Sequence, residues 1–229
     1  MAKRGKKYVD ITKKKVVKEY SLVDAIKEVK KLSYSKFEGT MELHVAVTLP
    51  KDKDAKAIKG SISLPNASAK KAVRVAVFTN EAMFKKAKAA GADLVGLEDL
   101  IKEVQSGKIN FDIAIATGDV MAKMAVLGKE LGPKGLMPNP KTGTVVSDNT
   151  LEDTIASYKK GKQTFAADAQ GGVHMNVGKL SLDDAKLIEN IHAAVGAIEE
   201  VIGKPYNIVF RKVTLSPTMG LSVKVKYEK

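Results

Sequence analysis

Two short segments of the sequence combine side chains that could bind a nucleic acid. Lys36-Phe37-Glu38-Gly39-Thr40 precedes one predicted strand, and Ser216-Pro217-Thr218-Met219-Gly220 links two others. Thr and Ser hydroxyls suit a ribose 2′-hydroxyl or a phosphate, and a glycine lets a ligand approach the backbone closely. Phe37 and Met219 offer apolar surface for a base or a ribose. The alternative for Phe37 is a core residue that merely begins its strand.

Motifs for catalysis or for a metal site are mostly missing. No Gly-Lys pair is followed by Ser or Thr as in a P-loop, no G-x-G-x-x-G follows a strand, and no Ser lies in a G-x-S-x-G elbow. Cysteine is absent and His44, His174 and His192 are scattered, so neither a structural zinc site nor a cofactor is expected. Each histidine is interpreted as a surface residue. Asp119 fits a helix cap as well as a lone acid at a strand end.

The charge of the chain points to a polyanionic partner and indicates where it binds. The 229 residues carry a formal net charge of +13, which is typical of nucleic-acid-binding proteins and less often of proteins at acidic membranes. Residues 68–160 hold 14 Lys and Arg against 11 Asp and Glu, whereas the two flanks together hold 25 against 15. Binding is therefore predicted in the flanks, although a solvated basic face that binds nothing in particular gives the same counts.

The composition also bears on the compartment. The absence of cysteine suits the cytosol, and the basic N-terminal segment lacks the apolar run of a signal peptide. No stretch approaches the roughly 18 apolar residues of a membrane span. A cytoplasmic protein without membrane association, monomeric when free, is expected.

The flanks are predicted to form one discontinuous α+β domain. Ser21 precedes a helix through Leu32 as its N-cap, and Ser181 is the predicted cap of a long helix at Leu182–Ile202. Thr40–Leu49 alternates apolar and polar residues, as a half-buried antiparallel strand does. Further strands are predicted at Ile58–Leu64, Thr164–Ala167, Val173–Val177, Ile208–Leu215 and Leu221–Tyr227. The domain would comprise residues 1–67 and 161–229, with an antiparallel sheet built from both termini.

Residues 68–160 follow a different pattern. The nearly continuous apolar strand Val73–Phe78 is followed by a predicted helix at Glu81–Ala90, and the order strand, helix, strand, helix, strand continues through Phe111–Ala116. A further helix is predicted at Val120–Leu127. This order indicates a parallel sheet with crossover helices, and hence an inserted, Rossmann-like, three-layer α/β domain. Because such sheets bind ligands where the strands end, a small-molecule site in this domain remains an alternative.

The stretch Leu127–Val146, LGKELGPKGLMPNPKTGTVV, contains three of the seven prolines. Each proline removes a backbone donor and restricts the residue before it, so the stretch is predicted to be an ordered loop without helix or inner strand. One interpretation is a rigid elbow with no ligand of its own, and the other is part of a binding or interdomain surface. The predicted interdomain loop comprises Gly132, Pro133, Lys134, Gly135, Leu136, Met137, Pro138, Asn139 and Pro140.

Four segments together resemble the universal L-one family of large-subunit ribosomal proteins, whose bacterial members are stalk proteins. They are LGPKGLMPNPKTGTV at Leu131–Val145, KFEGTMELHV at Lys36–Val45, GGVHMNVGK at Gly171–Lys179 and TLSPTMGLSVKV at Thr214–Val225. The resemblance runs essentially from end to end. It implies a split two-domain fold, binding to the stalk region of 23S rRNA, a role in moving deacylated tRNA out of the exit site, and translational repression through the protein's own mRNA.

The resemblance also implies which residues face the RNA. They are Lys36, Phe37, Thr40, Asp168, Gly171, Ser216, Thr218, Met219 and Gly220. This chain has Ala166 and Ala169 where the family often has Arg and Lys beside the aspartate, which removes potential phosphate contacts at that turn. Lys134 stands where many relatives have Arg.

Two functions of different classes follow. The first is a non-catalytic RNA-binding protein of the large ribosomal subunit, which the charge distribution and the resemblance favour. The second is an enzyme with a small-molecule site at the edge of the parallel sheet, which only the inserted α/β pattern suggests.

Overall fold

The computed structural model describes residues 5–14, 16, 18–48, 58–66, 73–203 and 206–227. Its helices are α1 Lys6–Lys14, α2 Leu22–Leu32, α3 Phe84–Ala89, α4 Glu98–Gln105, α5 Met121–Met124, α6 Gly128–Leu131, α7 Leu151–Lys159, α8 Asp184–Ile202 and α9 Tyr206–Val209. Its strands are β1 Glu19–Tyr20, β2 Thr40–Val47, β3 Lys59–Ser63, β4 Val75–Phe78, β5 Leu94–Gly96, β6 Ile113–Thr117, β7 Val145–Val146, β8 Lys162–Ala166, β9 Gly172–Lys179, β10 Phe210–Pro217 and β11 Val223–Val225.

The contacts divide the chain into two compact units. The first unit lies within Met1–Ser68 and Thr164–Lys229, and the second within Ala69–Gln163. The combination of a mixed sheet with a separate parallel sheet confirms the predicted fold class. The predicted domain boundary at 67/68 lies outside the described residues. The assignment of residues 1–67 with 161–229 and of residues 68–160 to separate domains stays a prediction. No helix in the described ranges is long and apolar enough to cross a membrane.

The first unit is built on a five-stranded sheet of order β1-β11-β10-β2-β9. The β1–β11 pair is parallel, and the other three pairs are antiparallel. On β2, the inward side chains of Met41, Leu43 and Val45 are buried, because successive side chains of a strand point to opposite faces. They pack in one core with α2 and α8. The alternation predicted for this strand is thus confirmed.

Helix caps in the first unit agree with the sequence at one helix and differ at the other. Ser21 Oγ accepts a hydrogen bond from the backbone N–H of Asp24 at 3.3 Å, which confirms the predicted cap of α2. The predicted cap Ser181 is wrong, since α8 begins after Asp183. The Ser181 hydroxyl donates instead to the carboxylate of Glu38. The hydroxyl is therefore used to join two loops.

The second unit contains a fully parallel four-stranded sheet of order β5-β4-β6-β7. On β4, Val75 and Val77 belong to one apolar cluster with α7, whereas Ala76 and Phe78 belong to another with α4 and the helices after β6. Because all four residues are buried, the strand has no polar face, as is typical of a sheet covered on both sides. The arrangement is the three-layer architecture predicted for this segment.

The proline-rich stretch is more regular than predicted at both of its ends. The helical path continues through α6 as far as Leu131, and Val145–Val146 joins the sheet as edge strand β7. The predicted absence of helix is therefore wrong at α6, which ends before the first proline, and at a short 3-10 helix at Pro140–Thr142. The predicted absence of an inner strand is not contradicted, because β7 lies at the edge of the sheet. Leu136 and Met137 pack against the core of the second unit. The interdomain role of residues 132–140 stays a prediction.

Two hydrogen bonds hold the carboxyl end of that loop in place. Asn139 Oδ1 accepts the backbone N–H of Lys141 at 2.9 Å, and the Tyr158 hydroxyl donates to the Thr142 carbonyl at 2.9 Å. Burial raises the pKa of Tyr158 to about 12, so the hydroxyl remains a donor throughout the physiological pH range. These bonds fit an ordered loop rather than a flexible linker.

Candidate nucleic-acid interface

The two segments singled out in the sequence meet at one end of the five-stranded sheet. Thr40 begins β2, and Thr218 follows the last residue of β10, which runs antiparallel to it. The backbone N–H of Thr218 donates to the Thr40 carbonyl at 2.9 Å, and the Thr40 N–H donates to the Thr218 hydroxyl at 2.9 Å. Two reciprocal bonds therefore hold the segments together. We call residues 33–40 with 216–220 the loop cluster.

The loop cluster presents apolar side chains to solvent. Phe37 is 59% exposed and Met219 is 41% exposed, and Lys36 beside them is exposed as well. The alternative that Phe37 is a core residue is therefore wrong. Two large apolar side chains are thus accessible to solvent on a backbone that hydrogen bonds hold in place.

Gly220 has a role within the protein itself. A Cβ atom at this position would stand 2.6 Å from the Leu32 carbonyl oxygen and 2.5 Å from Cγ of Pro217. Ser33 and Gly220 form an antiparallel bridge, and the Tyr34 N–H donates to the Met219 carbonyl at 3.3 Å. The glycine lets the end of α2 lie directly against the loop. Close approach by a ligand, the reason for selecting Gly220 in the sequence, stays a prediction.

Ser216 lies on the outer face of the sheet rather than in a turn. It is part of β10, opposite Glu42 of β2, and its hydroxyl donates to the Pro217 carbonyl at 3.2 Å. On β2 and β9, Glu42 pairs in turn with Asn176. Ser216 thus connects the loop cluster to a row of polar side chains that crosses three strands.

The structure places Asp168 and Gly171 away from the loop cluster. Their turn precedes β9, and the Gly171 carbonyl accepts the N–H of Val47 at the far end of β2. At about 3.3 Å per residue, the length of β2 separates this turn from Thr40 by roughly 20 Å. The nine residues selected from the sequence therefore lie at two ends of one sheet.

The Asp168 carboxylate maintains the shape of its own turn. Its Oδ1 accepts the N–H groups of Gly172 at 2.6 Å and Gln170 at 2.9 Å, and Gly171 adopts φ +82°. The bond from Gly172 is the main cause that lowers the pKa of Asp168, with further contributions from Gln170 and His174. The carboxylate is thus anionic at neutral pH and would repel a phosphate unless a cation lies nearby.

Between its two ends, the outer face of the sheet carries polar residues that the sequence analysis did not select as a site. The outward positions of β2, β9 and β10 are partly or fully exposed. In register across the strands, Thr214 lies opposite His44, and His44 lies opposite His174. The Nδ1 atoms of the two histidines are 2.8 Å apart. The alternation of β2 predicts the outward direction of His44, but the pairing with β9 involves residues 130 positions away and has no local signal.

Positive charge accompanies this face at β10 and β11. Lys212 pairs with Ala46 near the Asp168 end, and Lys224 pairs with Thr214 near the middle. Both lysines and the adjacent Arg211 are exposed. With Lys36 at the loop cluster, cations therefore lie along the full length of the outer face.

A hollow of about 470 Å³ adjoins Phe37. Its lining combines hydroxyls, lysines and apolar groups, and comprises Lys30, Ser33, Ser35, Lys36, Phe37, Glu38, Gly39, Leu180 and Ser181. Lys30 is already engaged, because its Nζ donates to Asp184 Oδ1 and to the Leu182 carbonyl, each at 2.7 Å. The Ser35 and Ser181 hydroxyls are engaged as well, with the Phe37 carbonyl and the Glu38 carboxylate, so the exposed Lys36 is the cation best placed to meet a ligand.

The second unit offers a hollow at the carboxyl ends of β6 and β7. It is lined by Gly118, Asp119, Val145, Val146, Ser147 and Asp148. Carboxylates and one hydroxyl are present, but this lining has no histidine, lysine or arginine to act with them. Within the residues that the structure describes, no group of three or more His, Asp or Glu side chains could hold a metal ion. The small-molecule alternative gains no specific support from this lining.

Comparisons with known proteins agree with the sequence resemblance. The profile of the ribosomal protein L1p/L10e family matches residues 29–221. The large ribosomal subunit protein uL1 of Kosmotoga olearia is 39% identical over 235 residues, covering 100% of this chain and 99% of the relative. The corresponding uL1c of Phaeodactylum tricornutum is 41% identical over 233 residues (100% and 97%), and uL1 of Pediococcus pentosaceus is 38% identical over 231 residues (99% and 99%).

Proposed function

The chain belongs to the ribosomal protein L1p/L10e family, and we propose that it is a component of the large ribosomal subunit that binds the stalk region of 23S rRNA through the loop cluster. The curated relatives carry names that describe a place in a ribosome and no reaction, and the chain is accordingly a structural protein rather than an enzyme. Its place of action would be the ribosome, in the cytoplasm, with the free protein a monomer.

The observation that carries this proposal is the exposed Phe37 and Met219 pair on a rigid support. The Thr40–Thr218 hydrogen bonds fix the backbone beneath these side chains, so little conformational freedom is lost on binding. Flat or soft apolar groups next to hydroxyls are suited to ribose and base surfaces of a folded RNA. The neighbouring Lys36 would meet a phosphate.

The outer face of the sheet extends the proposed contact. Thr214, Ser216 and Asn176 supply uncharged hydrogen-bonding groups, and Lys212 and Lys224 supply charge. A footprint from the loop cluster to the Asp168 turn would be roughly 20 Å long. Such a length is compatible with reading the shape of a structured RNA rather than one nucleotide. The bacterial pattern of Arg and Lys beside Asp168 is replaced by alanines here, so we expect that end to contribute less.

Two finer roles belong to the same proposal. We infer that the protein helps deacylated tRNA to leave the exit site of the ribosome, and that it represses translation by binding its own mRNA. Support for both comes from the family resemblance, and repression is compatible with a single RNA surface that binds either rRNA or messenger. Competition between a stalk rRNA fragment and the mRNA leader for the full chain tests the shared surface.

The central experiment is filter binding of the full chain to a stalk rRNA fragment. Phe37→Ala should weaken binding by roughly 1–3 kcal/mol, the usual cost of removing an aromatic side chain that stacks on a base, and Met219→Ala should weaken it as well. The matched control is Val126→Ala, because Val126 is 62% exposed in the second unit. Equal affinities for all three variants and the wild type would exclude the loop cluster as the binding site.

Salt titrations separate the apolar contact from simple charge attraction. Phe37→Ala should leave the dependence of log K on log salt unchanged, whereas Lys36→Ala should flatten it by about 0.7–0.9 of an ion. If lysine substitutions alone weaken binding, the site is an electrostatic patch and the role proposed for Phe37 is wrong.

A further inference from the structure

His44 and His174 form a pair on the outer face of the sheet. They are cross-strand neighbours on the antiparallel strands β2 and β9, with ring centroids 5.0 Å apart. The side chains are 30% and 57% exposed, so ions in solution can reach them. Their Nδ1 atoms face each other at 2.8 Å.

A carboxylate lies at the opposite nitrogen of each ring. Glu42 Oε2 is 3.6 Å from His44 Nε2, and Asp168 Oδ2 is 3.6 Å from His174 Nε2. A neighbouring carboxylate favours the tautomer whose proton is on the nitrogen that faces it. In the Nε2–H tautomer, each ring has an electron lone pair on its Nδ1.

At 2.8 Å the two Nδ1 atoms either share one proton in a hydrogen bond or, when both rings are Nε2–H tautomers, offer two lone pairs to a metal ion. Carboxylates that accept the far N–H of metal-bound imidazoles are the usual surroundings of histidine ligands, since they fix the ring and raise its basicity.

The separation of the two nitrogens indicates which metals fit. With metal–nitrogen bonds of about 2.0–2.1 Å, two ligands at 90° stand about 2.9 Å apart, whereas two tetrahedral ligands stand about 3.3 Å apart. The first value is close to the observed 2.8 Å. Square-planar or octahedral ions with an affinity for imidazole, such as Cu²⁺ and Ni²⁺, match this geometry better than Zn²⁺ does.

We propose that His44 and His174 form a two-imidazole binding site for a divalent late transition-metal ion. Small rotations of the rings turn both Nδ1 lone pairs toward one ion, and water fills the remaining coordination positions. Since the described residues bring no third His, Asp or Glu into a metal-binding group, the ion exchanges readily with solvent. The site lies on the face that we propose to contact RNA but does not depend on that proposal, and it is therefore tested on the RNA-free protein.

Titration with Ni²⁺ alone, followed by NMR of the histidine rings, tests the site in the wild-type chain. The chain has three histidines, so each ring signal is readily assigned. Paramagnetic Ni²⁺ should broaden the signals of His44 and His174 first and leave His192, which contacts the Tyr227 hydroxyl, sharp. Mg²⁺ at the same concentration should broaden none and shift none, because it prefers oxygen ligands. Equal broadening of all three rings overturns the proposal.

Calorimetric Ni²⁺ titration of variants provides the second measurement. His44→Gln and His174→Gln should each raise the dissociation constant at least about tenfold, and the matched control His192→Gln should not change it. Both tested side chains point outward, and circular dichroism checks that the variants remain folded. Wild-type affinity in both variants, or an equal loss in the control, overturns the proposal. If either variant does not fold, the broadening pattern of the wild type decides.

Discussion

The sheets of the two units differ in how many of their faces are buried. In the second unit, β4 is buried on both faces, and the parallel sheet lies between two apolar clusters. In the first unit, the sheet buries one face and leaves side chains such as His174 and Asn176 on the other exposed. A sheet with one polar, accessible face has a surface available for a partner, whereas a sheet covered on both sides has only its edges. The excess of positive charge lies in the same unit as the accessible face.

The largest expected effect is a loss of stability in the second unit that leaves RNA affinity nearly unchanged. Phe78 is fully buried in the second unit, with its ring 6.1 Å from that of Phe111. Phe78→Ala should lower the stability of this unit by about 3–5 kcal/mol because it leaves a cavity. Calorimetry should show the loss, while stalk-RNA affinity at low temperature stays within about threefold of wild type. A parallel loss of affinity would break the contrast between the units. Leu43→Ala, in the core of the first unit, is the reciprocal control.

A methyl group at Gly220 should affect the first unit only. Gly220→Ala brings Cβ against the Leu32 carbonyl, and the resulting overpacking should cost about 1–3 kcal/mol. The control is Gly118→Ala in the second unit, where an added Cβ meets nothing within 4 Å. Thermal unfolding measures both. If Gly220→Ala is as stable as wild type yet binds RNA poorly, the glycine serves ligand approach, as the sequence analysis supposed.

The Thr218 hydroxyl should matter for the geometry of the loop cluster. Thr218→Val leaves the Thr40 N–H without its protein partner, which should lower the stability of the first unit by about 0.5–1.5 kcal/mol because the bond is exposed to water. RNA affinity should fall while its salt dependence stays unchanged, because no charge is altered. Thr154→Val on α7 removes a comparable exposed hydroxyl, bonded to the Thr150 carbonyl, and serves as the control. Equal RNA affinity of Thr218→Val and wild type would show that the Thr40–Thr218 hydrogen bonds do not organise the RNA-binding surface.

The smallest expected effect is a change in how the stability of the protein depends on pH. Because the folded-state pKa of Asp168 is lowered below its ordinary value of 3.8, its contribution to stability is present above that value and is lost as the pH falls through the lowered pKa. Asp168→Asn should therefore be slightly less stable than wild type at neutral pH, and the difference should vanish in acid. Urea unfolding at several pH values measures it, with the exposed Asp153→Asn as control. A difference that persists unchanged at low pH contradicts the assignment.

Local patterns predicted the elements well. The helix Leu22–Leu32 and the buried side chains of β2 agree with predictions from local sequence patterns. Local patterns do not predict secondary structure correctly where contacts with distant residues determine it. Ile208 and Val209, the first two residues of a predicted strand, belong to helix α9. The sheet extends β10 to Pro217 through its pairing with Met41. The short helix α1 was not predicted.

The candidate site divides in the same way. Residue types alone selected Phe37 and Met219, because an apolar side chain among small polar residues is unusual in a loop. Sequence could not show that Gly220 lies against Leu32, nor that His44 faces His174, since each contact joins segments more than a hundred residues apart. The family resemblance supplied Asp168, but its distance from the loop cluster emerges only from the strand pairing.

The strand order of the first unit also determines when it can form during synthesis. β2 is made early, yet its two neighbours, β9 and β10, follow the entire second unit in the chain. At a synthesis rate of roughly 5–20 residues per second, on the order of ten to thirty seconds pass between the synthesis of β2 and that of β10. The continuous second unit can fold during that interval. Ribosome-bound chains stalled once the second unit has left the ribosome, but before β9 has, should therefore contain a protease-resistant middle segment and a sensitive N-terminal one. Resistance of both segments would mean that β2 finds another partner first.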